Sequence, residues 1–488
     1  MMTPQRCRGA FAVALLMLSG AAAGAQERLS LTLQDAIARA QTQGLPARAA
    51  KATRDAARQR DRAFGARLLP QLGLTGTVPS LNRSINPVVQ PDGSTLYRPQ
   101  EQNQSSLTMS LTQRLPVIGG ELFINSALSR IEMIGSTNTR TWSSTPMLVG
   151  IRQDILRPNT QRWDNRAQDL RAEIAERTYA EAMEEIALSA ANAFFDHYTA
   201  KLGLENSITN AAVNDTLFTL NKGRFEVGKI GENDLLQSEL ALLRSRVALD
   251  GARLDHDRTL AALRLTLNLA PGAALEIIVP TDIPEIVADT AVAVAQALRN
   301  RAQSVDLELQ DVQAARAVSE ARFNTGIGAS VQASMGFNQS GPAVDAVYKD
   351  LLEAQRFNLA VSMPLVQWGG RSAQIQAAKL DEERVEHTTR QTRGQTAQEA
   401  HFAALQLAQS RRQLAIAAKA DTVGAKRFEV AKNRYVIGRI GMDNLYQAQN
   451  EKDAALASYL QSLRGYWVAY YRLRRVTMYD FATGNVIR

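Results

Sequence analysis

The stretch Arg224-Phe225-Glu226-Val227-Gly228-Lys229-Ile230-Gly231-Glu232-Asn233-Asp234-Leu235-Leu236-Gln237 returns as Arg434-Tyr435-Val436-Ile437-Gly438-Arg439-Ile440-Gly441-Met442-Asp443-Asn444-Leu445-Tyr446-Gln447, a constant shift of 210 residues. Self-similarity at a fixed offset sets the architecture before any single residue is interpreted. Each copy reads as a helix closed by a glycine, a short turn, and a second helix opening on an acidic or amide cap. The same shift lays Leu170 on Leu380 and Leu263-Arg264 on Leu473-Arg474, so no net insertion separates the copies between those positions. Two equivalent hairpins ending at one level are predicted.

Outward from the tips the helical pattern is long. Residues 161–222 contain no proline and only Gly203 as an internal glycine, and some 60 residues at 1.5 Å rise span roughly 90 Å. Ala180, Ala182, Ala187, Ala190, Ala191 and Ala193 crowd one region, which lets neighbouring helices approach closely in a coiled-coil wall. The return helix, 232–269, is shorter. A helix over 46–69, stacked end to end on it, supplies the missing length. The second half repeats the plan with helices over 291–322, 369–433 and 443–475, after a proline-bearing linker at 271–290.

Between the helices the period drops to two. Leu72, Leu74, Gly76 and Val78 alternate with Gln71, Gly73, Thr75 and Thr77, giving a strand over 71–79. Residues 80–105 are rich in Asn, Pro, Gln and Ser and read as a surface loop, 106–133 offers a possible extra hairpin, 135–146 is a second polar loop, and 146–156 is a strand leading into the first long helix. Ile327, Ala329, Val331, Ala333, Met335 and Phe337 define a strand over 326–338, and Phe357, Leu359, Val361, Met363 and Leu365 one over 355–366. Apolar-out, polar-in alternation over about 9–11 residues suits tilted strands of a membrane barrel. Trp368, at a strand end, suits the aromatic belt of a membrane interface.

Of 488 residues 45% are hydrophobic and 21% charged, the composition of a folded chain. Arg6 and Arg8 precede an apolar run and an Ala-rich site, predicting a signal peptide over 1–25 cleaved after Ala25. Removing those two arginines takes the formal charge from +8 to +6. That is mild for this length, and nucleic-acid binding is not expected. The only cysteine, Cys7, lies in the leader, so neither disulfide nor thiolate metal site is predicted. Beyond the leader no run of about 18 apolar residues exists to form a spanning helix. His197, His256, His387 and His401 are scattered. Asp255-His256-Asp257 occupies successive helical positions that point apart, so no metal is assigned. With no GxSxG, HExxH or phosphate loop, neither an enzyme nor a cofactor is predicted.

Leu68-Leu69-Pro70-Gln71-Leu72 at the helix-to-strand passage, Met363-Pro364-Leu365-Val366-Gln367-Trp368-Gly369-Gly370 at the strand-to-helix passage, and the two tips together resemble the TolC-like outer-membrane efflux protein family. The resemblance implies an α+β membrane protein. Three copies would form a β-barrel in the outer membrane continuous with a long α-helical coiled-coil barrel in the periplasm, each chain contributing one repeat over 26–270 and another over 291–488. It implies an exit duct of a tripartite efflux pump or type I secretion system, in contact with outer-membrane lipid. The duct docks on a periplasmic adaptor (membrane fusion) protein and an inner-membrane pump of RND or ABC type.

By the same resemblance Asp234, Arg434, Tyr435, Arg439, Asp443 and Asn444 line a periplasmic aperture, with Asn444 where a second acid is usual. Arg224, Gly228, Ile230, Gly231, Leu235, Gly438, Ile440, Gly441 and Leu445 face the adaptor. Ordinary helix capping by the same carboxylates and bases is the plainer alternative. The chain departs from the family in the possible hairpin at 106–133, in Arg152-Gln153-Asp154-Ile155-Leu156-Arg157 before the first long helix, and in a short C-terminus. A periplasmic coiled-coil scaffold or adaptor without a membrane barrel accounts for the helices but not for strands inserted in both halves.

Overall fold

The computed structural model describes residues 29–134, 138–279 and 284–488. Residues 1–28, with the expected leader over 1–25 and Cys7, residues 135–137 and residues 280–283 of the expected linker lie outside them.

In chain order the elements are β1 (Leu29–Thr32), α1 (Leu33–Gln43), α2 (Leu45–Ala66), a meander of β2 (Gln71–Val89), β3 (Thr95–Leu115), β4 (Gly120–Ile134) and β5 (Thr139–Ile155), then a hairpin of α3 (Thr160–Glu226) and α4 (Glu232–Thr266). There follow β6 (Leu275–Ile278), α5 (Thr290–Asn300), α6 (Ala302–Asn324), β7 (Gly328–Gly341), β8 (Leu352–Ser362), a second hairpin of α7 (Gly370–Val436) and α8 (Met442–Thr477), and the short strands β9 (Tyr479–Asp480) and β10 (Asn485–Val486).

The 67 residues each of α3 and α7 correspond to roughly 100 Å of helix. The shorter helices α2 and α4 both run along α3, while α6 and α8 both run between α3 and α7, so the helical part is a layer four helices wide. At mid-height β1 pairs in parallel with β6, and α1 packs on α3 and α5 on α7. A core gathers there: Leu33, Ala40, Phe194, Phe195, Leu263, Leu407, Tyr466 and Leu473 are all buried. Ala190 and Ala191, fully buried, allow the close helix approach at this level.

The bounds of two strands shift, since 139–145, read as polar loop, belongs to β5, and the strand read over 355–366 stops at Ser362, before Met363 and Leu365; two further expectations need correction. The single helix over 291–322 is two, because Arg301 is extended (φ −68°, ψ 146°). Its guanidinium reaches Glu399 at 2.9 Å, and the freed Ala302 N–H donates to the Glu181 carboxylate at 2.7 Å. Distant carboxylates thus stabilise a break that no local glycine or proline announces. The break has a counterpart at Gly44, which separates α1 from α2 with nearly the same dihedrals (φ −60°, ψ 142°).

The second correction concerns 80–105, read as a loop but folded as the outer parts of β2 and β3, with only 90–94 between them. The pairing of β2 with β3 slips by one residue between Thr77 and Ser80. That bulge moves odd-numbered Leu81, Ile85 and Val89 onto the face already occupied by even-numbered Leu72 and Leu74. The inverted phase hides the continuing strand from a simple alternation test.

The six long strands form one antiparallel sheet in the order β2-β3-β4-β5-β7-β8, with β2 and β8 at its edges. Register places Leu72, Leu74, Leu107, Met109, Leu122, Ile124, Val149, Val331, Met335, Phe357, Leu359 and Val361 on one face. The opposite face carries Thr112, Glu121, Asn125, Arg152, Gln332, Ser334, Arg356 and Asn358. On that polar face the Phe123 ring covers Gly150, where an added Cβ would lie 2.3 Å from the ring edge.

Candidate functional site

Both tips turn the same way. Gly228 (φ 71°) and Gly438 (φ 74°) adopt the left-handed conformation glycine tolerates. Gly228 N–H donates to Phe225 O (2.9 Å) and Lys229 N–H to Arg224 O (2.8 Å), matched by Gly438 to Tyr435 (2.9 Å) and Arg439 to Arg434 (2.9 Å). The helices α4 and α8 open on Gly231 and Gly441 without a side-chain cap bond, not on an acidic or amide residue. Glu232, Asp234 and Asp443 sit one step inside, in the first turns. There they complement the positive end of the helix dipole. A Cβ at Gly228, Gly231, Gly438 or Gly441 would meet nothing within 4 Å. The tip glycines are therefore open to the surroundings.

One clasp joins the two tips. Arg224 donates to Val436 O at 2.8 Å and its guanidinium lies 5.3 Å from the Tyr435 ring centroid. The Tyr435 hydroxyl donates to Asn221 Oδ1 at 2.7 Å, and Gln237 donates to Asp443 Oδ1 at 2.7 Å. Tyr435, Met442 and Leu445 are buried with Leu217, Phe428 and Ala448 in a small core, against which Ile440 packs. Leu445 is therefore not part of an adaptor-facing surface: at 0% exposure it holds the tips together. Arg224 is a clasp residue, half-buried beneath the second tip, and Tyr435 faces the protein interior. Asp234, Arg434, Arg439 and Asn444 form no side-chain hydrogen bond or ion pair with any described residue, so within one chain the expected aperture residues do not form a single cluster.

Above the clasp the contact of α3 with α8 is polar. Asn206 and Asn210 each donate to Asp453 at 2.8 Å, and Lys452 donates to Asn210 at 3.1 Å while lying 5.0 Å from the Phe428 ring centroid. Asn214 Oδ1, Gln449 Oε1 and the Tyr446 hydroxyl are buried there without a partner among the described residues. Burial pushes the Tyr446 hydroxyl up to about 12. Buried unpaired polar atoms cost stability, and the seam carries three of them in close succession. Asn206, Asn210, Asn214 and Asn221 recur at helical spacing along one face of α3, a signal present in the sequence but unread there.

At mid-height Arg474 makes two 3.0 Å bonds to Glu184, which is 3% exposed, and lies 3.4 Å from Asp480. The Tyr470 hydroxyl also donates to Asp480, at 2.7 Å. Burial raises the Glu184 carboxyl above its ordinary value, with the Arg474 charge and hydrogen bonds opposing. Arg264, at the equivalent place in the other half, donates instead to Ala273 O at 3.0 and 2.6 Å. His197 is pushed down to about 4, first by burial and then by His256, whose ring centroid is 5.0 Å away. Asp257 alone approaches His256 among the carboxylates of the expected non-site, at 3.1 Å.

Neither a family model nor a curated relative matches this sequence. Solved structures do match it in fold. They include the outer membrane channel CmeC of Campylobacter jejuni (16% identity, 91% of this chain and 85% of that one, TM-score 0.65) and the outer-membrane channel OprN (13%, 92% and 90%, TM-score 0.67). Another is the outer membrane protein VceC of Vibrio cholerae (15%, 92% and 96%, TM-score 0.64). The likeness to TolC-like outer-membrane efflux proteins thus holds across nearly the whole described chain at the level of fold.

Proposed function

We propose that the chain, a TolC-like fold, is the outer-membrane channel through which an efflux or secretion system passes substrates to the exterior. One observation carries this reading. A sheet with an exposed apolar face and a polar opposite face rises directly from helices roughly 100 Å long, with Leu74 67%, Met335 65% and Phe357 72% exposed on the apolar side. Water would penalise such a face, whereas lipid would cover it. A soluble periplasmic scaffold or adaptor has no use for it.

Three copies enclose the duct in this reading. The polar sheet face, with Glu121, Arg152, Gln332 and Arg356, lines the lumen, while the helices line the periplasmic passage. No residue is asked to perform chemistry; conduction is passive, and the driving energy comes from an inner-membrane pump of RND or ABC type. The open glycines Gly228, Gly231, Gly438 and Gly441, with Ile230 and Leu235, form the adaptor-facing tip. Asp234, Arg434, Arg439 and Asn444, unpartnered within the chain, meet their counterparts across the aperture. The clasp of Arg224, Tyr435, Asn221, Gln237 and Asp443 holds it closed.

Membrane fractionation and planar-bilayer recording test the reading. A heat-dissociable trimer in the outer-membrane fraction that forms ion-conducting pores is expected. Recovery only as a soluble periplasmic protein would refute it in favour of the scaffold.

A further inference from the structure

Register fixes where charge stands on the polar sheet face. One row across the strands runs through Arg114, Glu121, Arg152, Gln332 and Asn358. The next row away from the helices ends on Arg356, opposite Ser334, and the next row towards them holds Asp154, opposite Ser330. Successive residues of one face lie about 6.7 Å apart along a strand, so these charges fall within about 13 Å. Farther from the helices, from the row of Ser110, Asn125 and Leu148 to that of Gln104, Ile131 and Thr141, the face carries hydroxyls, amides and apolar groups but no charge.

Within the belt the charges do not cancel. Arg114, Arg152 and Arg356 stand against Glu121 and Asp154, three positive and two negative, which leaves +1 per chain. Arg152 Nη1 lies 3.7 Å from Glu121 Oε1, and its guanidinium is 6.0 Å from the Phe123 ring centroid. Arg114 and Arg356 are exposed and make no side-chain hydrogen bond or ion pair with any described residue. Arg152 and Arg356 line one cleft of about 710 Å³, together with Glu121, Ser334 and Asn125. Two guanidinium groups with spare donors, set among hydroxyls and amides, suit an anion.

We infer that this belt is an anion filter, through which chloride and solutes bearing a carboxylate, sulfonate or phosphate pass more readily than cations of similar size. The inference rests on the membrane-channel reading above and names the class of solute that the duct favours. A passage wall of one net sign gathers ions of the other and raises their local concentration. The uncharged rows beyond the belt neither reinforce nor oppose it.

Planar-bilayer recording of the full chain under a KCl gradient reads the filter. At about 0.1 M salt, where screening acts over about 10 Å, chloride is expected to be favoured over potassium; at about 1 M, where it acts over about 3 Å, the preference shrinks. Arg152→Gln combined with Arg356→Gln takes the belt from +1 to −1 per chain and should move the permeability ratio several-fold towards potassium. Glu121→Gln takes it to +2 and should move the ratio further towards chloride. A reversal potential unchanged in both variants, or potassium preferred by the unsubstituted channel, would overturn the filter and leave the channel standing. Failure of the unsubstituted chain to form pores would overturn the channel reading itself. A second readout keeps every belt charge in place and decides alone where the arginine variants do not assemble. In a Cys7→Ser chain, which removes the sole native cysteine, Ser334→Cys in the belt and Ser129→Cys in the uncharged rows react with anionic sulfonatoethyl or cationic trimethylammonioethyl methanethiosulfonate. The anionic-to-cationic rate ratio is expected to be several-fold higher at position 334 and to fall with added salt; equal ratios at the two positions would overturn the filter.

Discussion

Arg474→Met isolates the mid-height strut. The substitution keeps an unbranched apolar stem but leaves Glu184, 3% exposed, without its cation. Asp480 retains the Tyr470 hydroxyl at 2.7 Å and the Ala482 N–H at 2.9 Å, so Glu184 is the group left uncompensated. Removing one partner of a buried pair costs about 3–5 kcal/mol. The sign of the pH dependence follows from the raised carboxyl of Glu184. The folded state binds that proton at a higher pH than the unfolded chain, so stability rises as pH falls through the window between the two values. Without Arg474 the folded value rises further. The deficit of the variant is then largest near neutral pH and shrinks on acidification, as the orphaned carboxylate takes up a proton. Urea unfolding of the detergent-solubilised protein, followed by helical circular dichroism at about pH 7.5 and about pH 5, measures both. Glu184→Gln in the Arg474→Met background is expected to recover most of the loss at the higher pH. An equal deficit at both pH values, with no recovery in the double variant, would refute the reasoning.

Val331→Arg or Val361→Arg, on the apolar sheet face, should each lower barrel stability by about 2–4 kcal/mol near mid-membrane, while Ser330→Arg and Ser362→Arg are tolerated; equal loss of assembled protein in all four would contradict the facing. Gly336→Ala puts a Cβ 2.1 Å from Met147 O and 2.8 Å from Leu148 Cα, both backbone, so loss of heat-stable assembly on gels is expected. Tyr435→Phe leaves the Asn221 carbonyl buried and unpaired, at about 1–3 kcal/mol, and single-channel recording should show more frequent opening. Gly228→Asp and Gly438→Asp add side chains where nothing lies within 4 Å in the chain, on backbone whose positive φ (71° and 74°) strains an aspartate by about 1–2 kcal/mol; that cost is local to the turn, so assembly should persist while pump-coupled export is lost, and normal export with adaptor still bound would take docking away from the tips.

Much of the fold is written in periodicity and in the two tip sequences. Long uninterrupted helical patterns and glycines at left-handed turn positions depend on local chemistry that a sequence displays directly. What stayed hidden depends on distant partners. Arg301 breaks a helix through contacts with Glu181 and Glu399, and neither carboxylate is near it in sequence. Tyr435 and Leu445 look like surface residues at a tip until the second hairpin is laid against the first and buries them. The aperture is the least legible part, because Asp234, Arg434 and Arg439 find no partner among the chain's own described residues.

The bulge at Thr77/Ser80 also constrains how this gene can change. Because β2 is written in two reading phases, deleting or inserting one codon on either side of that point would turn the whole outer half of the strand inside out, exchanging Leu81, Ile85 and Val89 for their polar neighbours. Length changes there would survive only in compensating pairs or as whole hairpins. An added hairpin such as β3–β4 is then the smallest step by which such a sheet can grow without losing its facing.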